Sequence, residues 1–372
     1  MYVRICYVRI VMYGHALWRC ICGIFYAVLP QNGGSQMSER VGNRTVRLSR
    51  RVGIVSSAGV AGHKESAGPL GKFFDEVYDD DLLGQKTWEK AESRLQTNAA
   101  SYALIKAELS PQDIDIILAG DLLNQCISST FGLRSLGIPY LGQYGACSTM
   151  AQAMLAGALL IDGGGFSRAM AVTSSHFCSA ERQFRLPIEY GGQRPPTAQW
   201  TVTGAGAAIL SDDAPHCIVR DVTAGRITDL NIKDASNMGA AMAPAAADTL
   251  LEYFRDTATA PSDYDLILTG DLGYIGSELL KKLLRKEGID ISFQHDDCGK
   301  MIFDRKGQDV HAGGSGCGCC ASVFCSVTRQ KLYAEELNNV LFIATGALMS
   351  PTSSQQGESI PGIAHLLHLT SN

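Results

Sequence analysis

The chain has 372 residues, of which 46% are hydrophobic and 19% are charged, and its formal net charge is −5. This length supports a large core arranged as two domains or two intimate halves, and the absence of a basic excess argues against a nucleic-acid-binding protein. The twelve cysteines are scattered along the chain, which excludes a small disulfide scaffold and favours reduced thiols.

The N-terminal residues differ in character from the rest of the chain. Arg4, Arg9 and Arg19 precede a short apolar run at 20–29. The arginines are too widely spread for a secretory signal, and no apolar stretch reaches the ~20 residues of a membrane-spanning helix. We predict that residues 1–44 are an extension that is disordered or begins at a start codon assigned too early. A weak membrane-associating segment is the alternative.

An internal repeat organises the rest of the chain. Residues 110–122 read SPQDIDIILAGDL and residues 260–272 read APSDYDLILTGDL, an offset of 150 without a gap. Each copy predicts a turn, a short buried strand and a glycine that ends the strand. Because a repeat sets the architecture, we predict two related halves, residues 45–215 and 216–372.

The elements around the repeat follow the same order in both halves. Helices are predicted at 88–109, 124–136, 245–254 and 276–287, and in each half a glycine-rich turn, GQYGACSTM or AGGSGCGCCAS, opens a further helix. Apolar strands are predicted from Ala169, Gly206, Val340 and Ile363. Asp121 and Asp271 end the repeated strands and are predicted to cap the helices that follow. Two duplicated βα units predict an α/β fold in which helices lie between stacked sheets.

Cys147 is the leading candidate for chemistry. It follows Gly145 and Ala146 at the start of a predicted helix. A thiol at a helix N-terminus meets unpaired amide donors and the positive end of the helix dipole, and both favour the thiolate. The alternative is a small buried residue that packs the turn, and the spacing alone does not separate the two interpretations.

Four cysteines occupy the corresponding helix of the second half: Cys317, Cys319, Cys320 and Cys325. A zinc site is one interpretation. The spacing lacks two Cys-x-x-Cys pairs, however, and a helix start projects such side chains apart. We therefore predict that these thiols pack where two helix starts approach each other, and that no metal is bound.

Two histidines are candidate bases. His311 precedes the glycine-rich turn of the second half, and pseudo-symmetric packing of the halves would bring it near Cys147 as the partner for acyl transfer. The alternative is an exposed loop histidine. His176 follows the strand after the Cys147 helix, and its alternative is a buried, hydrogen-bonded residue at a strand end.

The segment 181–200 is a long excursion between two strands, and such loops often carry function. It contains Arg182, Arg185, Arg194, Gln183, Gln193 and Gln199. Guanidinium groups bind carboxylates through paired hydrogen bonds, so the segment predicts a small anionic ligand. The alternative is a loop held by Arg–Glu pairs, at a subunit interface for example.

The motif order resembles that of the thiolase-like condensing enzymes, which carry a nucleophilic cysteine at a helix start and a later glycine-rich strand signature. Gly204 to Ala207 match that signature, but Thr203 stands before them and the acidic residue of the motif is missing. His311 only partly matches the Gly-His-Pro turn of these enzymes. The second cysteine loop has no counterpart in ATGALMSPTSS from Ala344. The resemblance implies a thiolase-like α/β/α/β/α fold with an incomplete catalytic set and no cofactor.

A closer resemblance covers roughly residues 45–370. The runs YGACSTM, GGQRPPTAQWTVTGAGAA and ATGALMSP are together similar to the stage V sporulation protein AD family of spore-forming Firmicutes. This resemblance implies a soluble protein at the periphery of the spore inner membrane. It implies that the protein binds dipicolinic acid (pyridine-2,6-dicarboxylate, usually with calcium) for uptake into the developing spore, together with membrane proteins of the same operon. The fold implies a homodimer by analogy.

A flat dianion needs guanidinium groups, amide donors at helix starts and an aromatic or apolar wall. On this hypothesis the ligand contacts come from Cys147, Ser148, His176, Arg182, Arg185, Arg194, Gln199, His311 and Gly314. Two alternatives stay open. One is an acyltransferase with Cys147 as nucleophile and His311 or His176 as base. The other is a non-catalytic scaffold of a spore membrane complex, with a vestigial pocket.

Overall fold

Strands and helices alternate along the chain, as the sequence predicts. The computed structural model describes residues 38–184 and 194–372, which belong to one compact unit, Met37–Asn372. The strands are β1 Glu39–Val41, β2 Thr45–Ala61, β3 Glu76–Val77, β4 Ile116–Gly120, β5 Tyr140–Gly142, β6 Arg168–Ser175, β7 Trp200–Thr201, β8 Gly204–Ser211, β9 Ile218–Thr223, β10 Leu266–Thr269, β11 His295–Asp297, β12 Gly314–Ser315, β13 Asn339–Ala347 and β14 Gly362–Thr370.

The α-helices are α1 His63–Ser66, α2 Trp88–Lys106, α3 Ile127–Leu133, α4 Thr149–Asp162, α5 Phe177–Phe184, α6 Met238–Thr257, α7 Gly273–Lys286, α8 Cys298–Met301, α9 Cys317–Val323, α10 Arg329–Tyr333 and α11 Pro351–Gln355. Short 3₁₀ helices occupy Gly71–Phe73, Pro111–Asp113, Asn124–Cys126, Arg134–Leu136 and Pro261–Asp263, and a π-helical turn, Phe324–Thr328, joins α9 to α10. Each predicted helix and strand around the repeat therefore has a counterpart in the structure.

The order of the strands displays the duplication. One large mixed sheet runs β11-β10-β13-β14-β9-β2-β8-β6-β4-β5, and β1 and β3 pair with β2. The order divides into two mirrored sets of five, β5-β4-β6-β8-β2 and β11-β10-β13-β14-β9. In each set the repeated strand lies between two parallel neighbours, and an antiparallel strand follows. β2 and β9, which the repeat does not predict, pair antiparallel and join the halves.

Asp115 and Asp265, which occupy equivalent positions just before the repeated strands, make equivalent hydrogen bonds in the two halves. Asp115 accepts hydrogen bonds from the two backbone N–H groups at the start of β6, at 2.7 and 2.9 Å. Asp265 accepts the equivalent bonds at the start of β13, at 2.6 and 3.0 Å. Each side chain thus ties its own turn to the neighbouring parallel strand, which explains why both copies of the repeat retain an aspartate there.

The layered arrangement of helices and sheet follows from which faces of the helices are apolar. α2 packs on the outer side of β2, β6 and β8, and α6 packs on the outer side of β13 and β14. α4 contacts β4 and β6 of its own half and also β13 and β14 of the other half. A helix between two sheets must be apolar on opposite sides, and TMAQAMLAGALLID satisfies this condition. The architecture is therefore the predicted α/β/α/β/α arrangement.

The glycine-rich strand signature has a packing role. A Cβ added to Gly206 on β8 would lie 2.3 Å from the carbonyl oxygen of Ala321 on α9. A Cβ added to Gly318 on α9 would lie 2.3 Å from the carbonyl oxygen of Gly204. Glycine at these positions lets the central helix approach the strand backbone closely, which no residue with a side chain allows.

Part of the predicted N-terminal extension belongs to the folded structure. β1 pairs antiparallel with β2, with Glu39 opposite Arg47, so ordered pairing begins before residue 45. Residues 1–37 lie outside the described residues. Within 38–184 and 194–372, no helix is long and apolar enough to cross a bilayer.

Candidate functional site

A cleft opens at the carboxyl ends of β6 and β13, where ligand sites of parallel sheets commonly form. It encloses about 460 Å³, counting the part that is open to solvent. Its described lining is mostly apolar and aromatic: Leu122, Tyr144, Ala146, Cys147, Ala180, Glu181, Phe184, Thr201, Met238, Ser315, Gly316, Ala347 and Met349. Both halves contribute to it, so the duplication builds the cleft at the junction of the two copies.

Cys147 lies on a constrained turn at the base of the cleft. The preceding residue, Ala146, has φ of +50°, a left-handed conformation that is unusual for a residue with a side chain. Ser148 closes the turn by donating its hydroxyl hydrogen to the carbonyl oxygen of Gly145 at 2.7 Å. A Cβ added to Gly346 of β13 would lie 2.1 Å from that same oxygen. The second half therefore holds the turn of the first half in place.

Asp271, for which the sequence predicts only a capping role, is close to Cys147 in this site. Its carboxylate is fully buried and accepts hydrogen bonds from Ser315 at 2.9 Å, from Thr345 at 2.7 Å and from the Gly316 N–H at 3.3 Å. Ser315 Oγ also lies 3.8 Å from Cys147 Sγ. Asp271 thus lies behind the cysteine, at the start of α9.

The predicted capping roles of the two repeated aspartates are half right. Asp121 accepts a hydrogen bond from the backbone N–H of Ser129 in the first turn of α3, at 2.8 Å, as expected for a cap. Asp271 does not cap α7. Asp297 takes that role instead and accepts from the N–H groups of residues 272 and 273, at 2.8 and 2.9 Å. Because Asp297 caps α7, the Asp271 carboxylate is available to accept hydrogen bonds beside the cleft.

The electrostatics of Cys147 are opposite to those expected of a helix-start thiol. Burial raises its pKa well above the ordinary value, and the charge of Asp271 and its hydrogen bonding to the thiol raise it further. Burial likewise raises the pKa of Asp271 to about 6, so the carboxylate is mainly charged at neutral pH. A charged neighbour of this sign keeps Cys147 as a neutral thiol.

The two candidate bases do not line the cleft. The His311 ring contacts the carbonyl oxygen of Pro195 and the carboxylate of Asp309, both at 2.9 Å, on an outer surface. The His176 ring is buried, with Nε2 2.7 Å from the carbonyl oxygen of Asp81, and burial lowers its pKa. The expected Cys147–His311 pair is therefore absent, and His176 matches the structural alternative.

Solved structures with this architecture support the fold assignment. The cerulenin-bound OleA of Xanthomonas campestris matches with a TM-score of 0.54 at 14% identity, over 92% of this chain and 100% of that chain. The 3-oxoacyl-[acyl-carrier-protein] synthase III of Aquifex aeolicus matches with 0.50 at 14% identity, over 85% and 99%. The tetronic acid condensing enzyme AbyA1 matches with 0.54 at 18% identity, over 86% and 100%. At these identities the likeness shows the thiolase-like fold alone.

The sequence comparisons are more specific. The profile of the family described as stage V sporulation protein AD (SpoVAD) matches residues 42–370. The stage V sporulation protein AD of Bacillus subtilis (strain 168) is 49% identical over 313 residues, which cover 84% of this chain and 92% of that protein. The chain belongs to the stage V sporulation protein AD family. It is a sporulation protein with a thiolase-like fold, and both resemblances drawn from the sequence are confirmed.

The two described arginines of the predicted anion-binding segment, Arg182 and Arg194, do not line the cleft of this SpoVAD family member. Arg182 forms an ion pair with Glu89 and lies over the ring of Trp88. Arg194 pairs with Asp309 at 3.1 Å, beside the surface that carries His311. The alternative of a segment held by Arg–acid pairs describes both arginines. Arg185 and Gln193 lie outside the described residues.

Three further predicted contacts form the frame of the cleft. Gln199 is buried and donates from Nε2 to the carbonyl oxygens of Asp271, at 2.6 Å, and Gly314, at 3.0 Å. Gly314 belongs to β12, which pairs with β7, and a Cβ added there would lie 3.0 Å from Ile302 Cγ2 and 3.2 Å from Val202 Cγ2. Ser148, as described above, closes the cysteine turn. Gln199, Gly314 and Ser148 are not among the described lining residues and support the cleft from outside it, whereas Ser315 and Thr201 line it.

The cysteines of α9 pack as the sequence predicts. Cys317 donates its thiol hydrogen to the carbonyl oxygen of Ser174 at 2.9 Å, and Cys320 donates to that of Cys147 at 3.6 Å, where the two helix starts meet. All nine cysteines in the described part of the chain are free thiols. Within residues 38–184 and 194–372, no group of three or more His, Cys, Asp or Glu side chains is arranged to hold a metal ion.

Proposed function

We propose that this protein binds dipicolinic acid in the cleft at Cys147, without transforming it, and so serves its uptake into the developing spore. The ligand is suggested by membership of the SpoVAD family. The observation that favours binding over catalysis is the position of Asp271. It lies behind Cys147 and raises the pKa of the thiol, whereas nucleophilic catalysis needs a thiolate.

The aromatic and apolar lining of the cleft suits a small flat ring. Tyr144 and Phe184 supply aromatic surface. The hydroxyl hydrogens of Ser315 and Thr201 are already donated to Asp271 and Glu181, at 2.9 and 3.2 Å, so they do not serve the carboxylates of the ligand. The described lining includes the carboxylate Glu181 but no arginine, lysine or histidine. Positive charge for a dianion must therefore come from elsewhere. The two sources we consider are calcium that enters with the ligand and Arg185, which follows Phe184 directly in the chain.

Calorimetry with purified full-length protein tests the proposal. Dipicolinate is titrated with and without calcium into the wild type and into Cys147→Ala, Arg185→Ala and Arg194→Ala. We expect saturable binding that Arg185→Ala weakens by about tenfold or more, the loss of one charge-assisted contact, while Arg194→Ala, outside the cleft, has no effect. Stronger binding with calcium would identify the chelate as the ligand. No saturable binding to the wild type in either condition would contradict the proposal.

An acyltransferase is the second candidate, and the strained turn at Ala146 is the observation that favours it. The experiment is incubation with a panel of acyl-CoA thioesters, followed by mass spectrometry of the intact protein and of its peptides. An acyl adduct at Cys147 would support the enzyme. If neither an adduct nor dipicolinate binding is detected, the scaffold hypothesis is favoured.

We also propose a homodimer that forms through the β5 edge of the sheet. Large apolar side chains are exposed on and around this edge: Ile127, Phe131, Tyr140, Leu141 and Tyr144. An exposed, hydrophobic edge strand is a surface that a second copy can pair with. Light scattering during gel filtration should show a dimer that Leu141→Glu converts to a monomer. The control Ile105→Glu changes an exposed isoleucine on α2 and should leave the dimer intact.

Family membership alone leads us to propose that the protein acts at the periphery of the spore inner membrane, with membrane proteins of its operon. Fractionation of developing spores should recover it with the inner membrane, and crosslinking there should capture those membrane proteins. Recovery only in the soluble fraction, without crosslinks, would contradict this assignment.

A further inference from the structure

A large irregularity interrupts the pairing of the two strands that join the halves. Arg47 of β2 lies opposite Asp221 of β9, and the next paired residues are Val52 and Val219. Four residues of β2 therefore face the single residue Arg220 of β9. Bulges of this kind bend a strand and redirect its side chains, and they are common beside functional sites.

The irregularity creates a surface pocket with four arginines in its lining: Arg47, Arg50, Arg51 and Arg220. All four are exposed, and the other lining residues are Leu48, Ser49, Ile218, Val219 and Asn372. The pocket encloses about 720 Å³, including its opening to solvent. A concave surface lined by four like charges concentrates anions, because the fields of the charges add there.

Neighbouring groups position these guanidinium groups without neutralising most of them. Arg51 donates to the carbonyl oxygens of Ala214 and Pro215, and Arg220 donates to Thr370 Oγ1 at 3.1 Å and to a backbone oxygen of Asn372 at 2.7 Å. These acceptors fix the orientation of each fork while other N–H groups remain on it.

Three side-chain carboxylates lie close to the arginine pocket, and one of them is Glu39, which lies opposite Arg47 in the pairing of β1 with β2. Asp221 pairs with Arg47 at 2.9 Å and also accepts from His368. Asp162 accepts from the backbone N–H groups of Ser49 and Arg50, at 2.8 and 2.7 Å. Among the described residues, no Asp or Glu side chain forms an ion pair with Arg50, Arg51 or Arg220. The four arginines therefore outnumber these three side-chain carboxylates.

The arginine pocket is separate from the Cys147 cleft. It lies beside Gly53, which pairs with Ser211, and Ser211 in turn pairs with Arg168 at the start of β6. The cleft residue Gly316 packs against Ser175 at the other end of β6. An eight-residue strand spans about 23 Å, so the two sites lie at opposite ends of the sheet.

We propose that the arginine pocket binds a phosphate group, either free or as the head group of an anionic phospholipid. Guanidinium forks match the geometry of phosphate oxygens, and several forks on one concave surface provide paired hydrogen bonds from more than one direction. The proposal concerns a second ligand at a second site and does not depend on what occupies the cleft.

Two probes separate the two sources of phosphate. Inorganic pyrophosphate is titrated into the full-length protein by calorimetry, and the same protein is sedimented with phosphatidylcholine vesicles that contain or lack phosphatidylglycerol. We expect wild-type protein to bind at least one probe, with affinity that falls as salt rises. Binding to pyrophosphate indicates a free phosphate ligand. Binding only to vesicles with phosphatidylglycerol indicates a lipid head group.

The pocket is tested by the double variant Arg50→Gln, Arg220→Gln, which should weaken binding by about tenfold or more. The matched control, Arg255→Gln, Arg285→Gln, removes the same charge from two exposed arginines elsewhere and should bind like the wild type. Thermal unfolding of both variants checks that they are folded. The proposal is overturned if the wild type binds neither probe, or if the control loses as much affinity as the pocket variant.

Discussion

Glu65 offers a direct test of the buried electrostatics near the glycine-rich strand. Its carboxylate is 1% exposed, and Oε1 accepts a hydrogen bond from the Thr203 N–H at 3.0 Å, while Oε2 has no hydrogen-bond partner in the described structure. Burial raises its pKa from the ordinary 4.5 to about 7. The folded state therefore binds a proton more tightly than the unfolded chain does.

The sign of the pH dependence follows from this raised pKa. The stability associated with protonated Glu65 is fully present below pH 4.5 and is lost as the pH rises through about 7. At about 1.4 kcal/mol per pKa unit, the charged carboxylate lowers the free energy of unfolding by about 3 kcal/mol at pH 8. Glu65→Gln keeps the acceptor for Thr203 and removes the charge, so it should stabilise the protein by up to about 3 kcal/mol at pH 8.

Urea unfolding at pH 5, 6, 7 and 8 provides the measurement. Glu65→Gln and wild type should have similar free energies of unfolding at pH 5 and should diverge as the pH rises. Glu108→Gln, at an exposed position, is the control and should follow the wild type at every pH. If Glu65→Gln is no more stable than the wild type at pH 8, Glu65 is not a buried charge and the reasoning is wrong.

Three further predictions concern the cleft and its surroundings. Asp271→Asn removes the charge that raises the pKa of Cys147, so alkylation of Cys147 by iodoacetamide at pH 8, followed by mass spectrometry, should accelerate by about tenfold; an unchanged rate would contradict this. Gly346→Ala places a Cβ 2.1 Å from the Gly145 carbonyl oxygen, so it should cost about 2 kcal/mol in urea unfolding and weaken dipicolinate binding in calorimetry. Burial raises the pKa of Asp271 to about 6 and that of Asp297 to about 7. The stability that their protonated forms give to the folded protein is therefore lost as the pH rises through these values, and the calorimetric Tm of the protein should fall between pH 5.5 and 8.

Local patterns were sufficient to predict most of the fold. The repeat marks β4 and β10, and Asp115 and Asp265 confirm that the two copies make equivalent contacts. The pairing of β2 with β9 was not predictable in the same way. These strands are far apart in the sequence, they lie outside the repeat, and their register is broken by the irregularity at the arginine pocket.

The candidate site shows where sequence reasoning fails. The turn before α4 locates Cys147 correctly at a cleft, because glycine, a small residue and a helix start are local signals. Asp121 and Asp271 stand in the same sequence context, yet only Asp121 caps its helix. The difference comes from Ser315 and Thr345, which β12 and β13 bring to Asp271 from distant parts of the chain. No local pattern contains that information.

The contrast between the two ends of β6 has a consequence for function. At one end, burial and the charge of Asp271 raise the pKa of the Cys147 thiol, and the described lining carries no cationic side chain. At the other end, four arginines line one pocket. The net charge of −5 is therefore unevenly distributed: the electrostatic potential is negative at the cleft and positive at the arginine pocket, about one strand length away. An enzyme that uses an activated thiol has no need of the second field and is impeded by the first. The negative field at the cleft also disfavours a dianion without a counter-charge, so the binding that we propose depends on positive charge from calcium or Arg185.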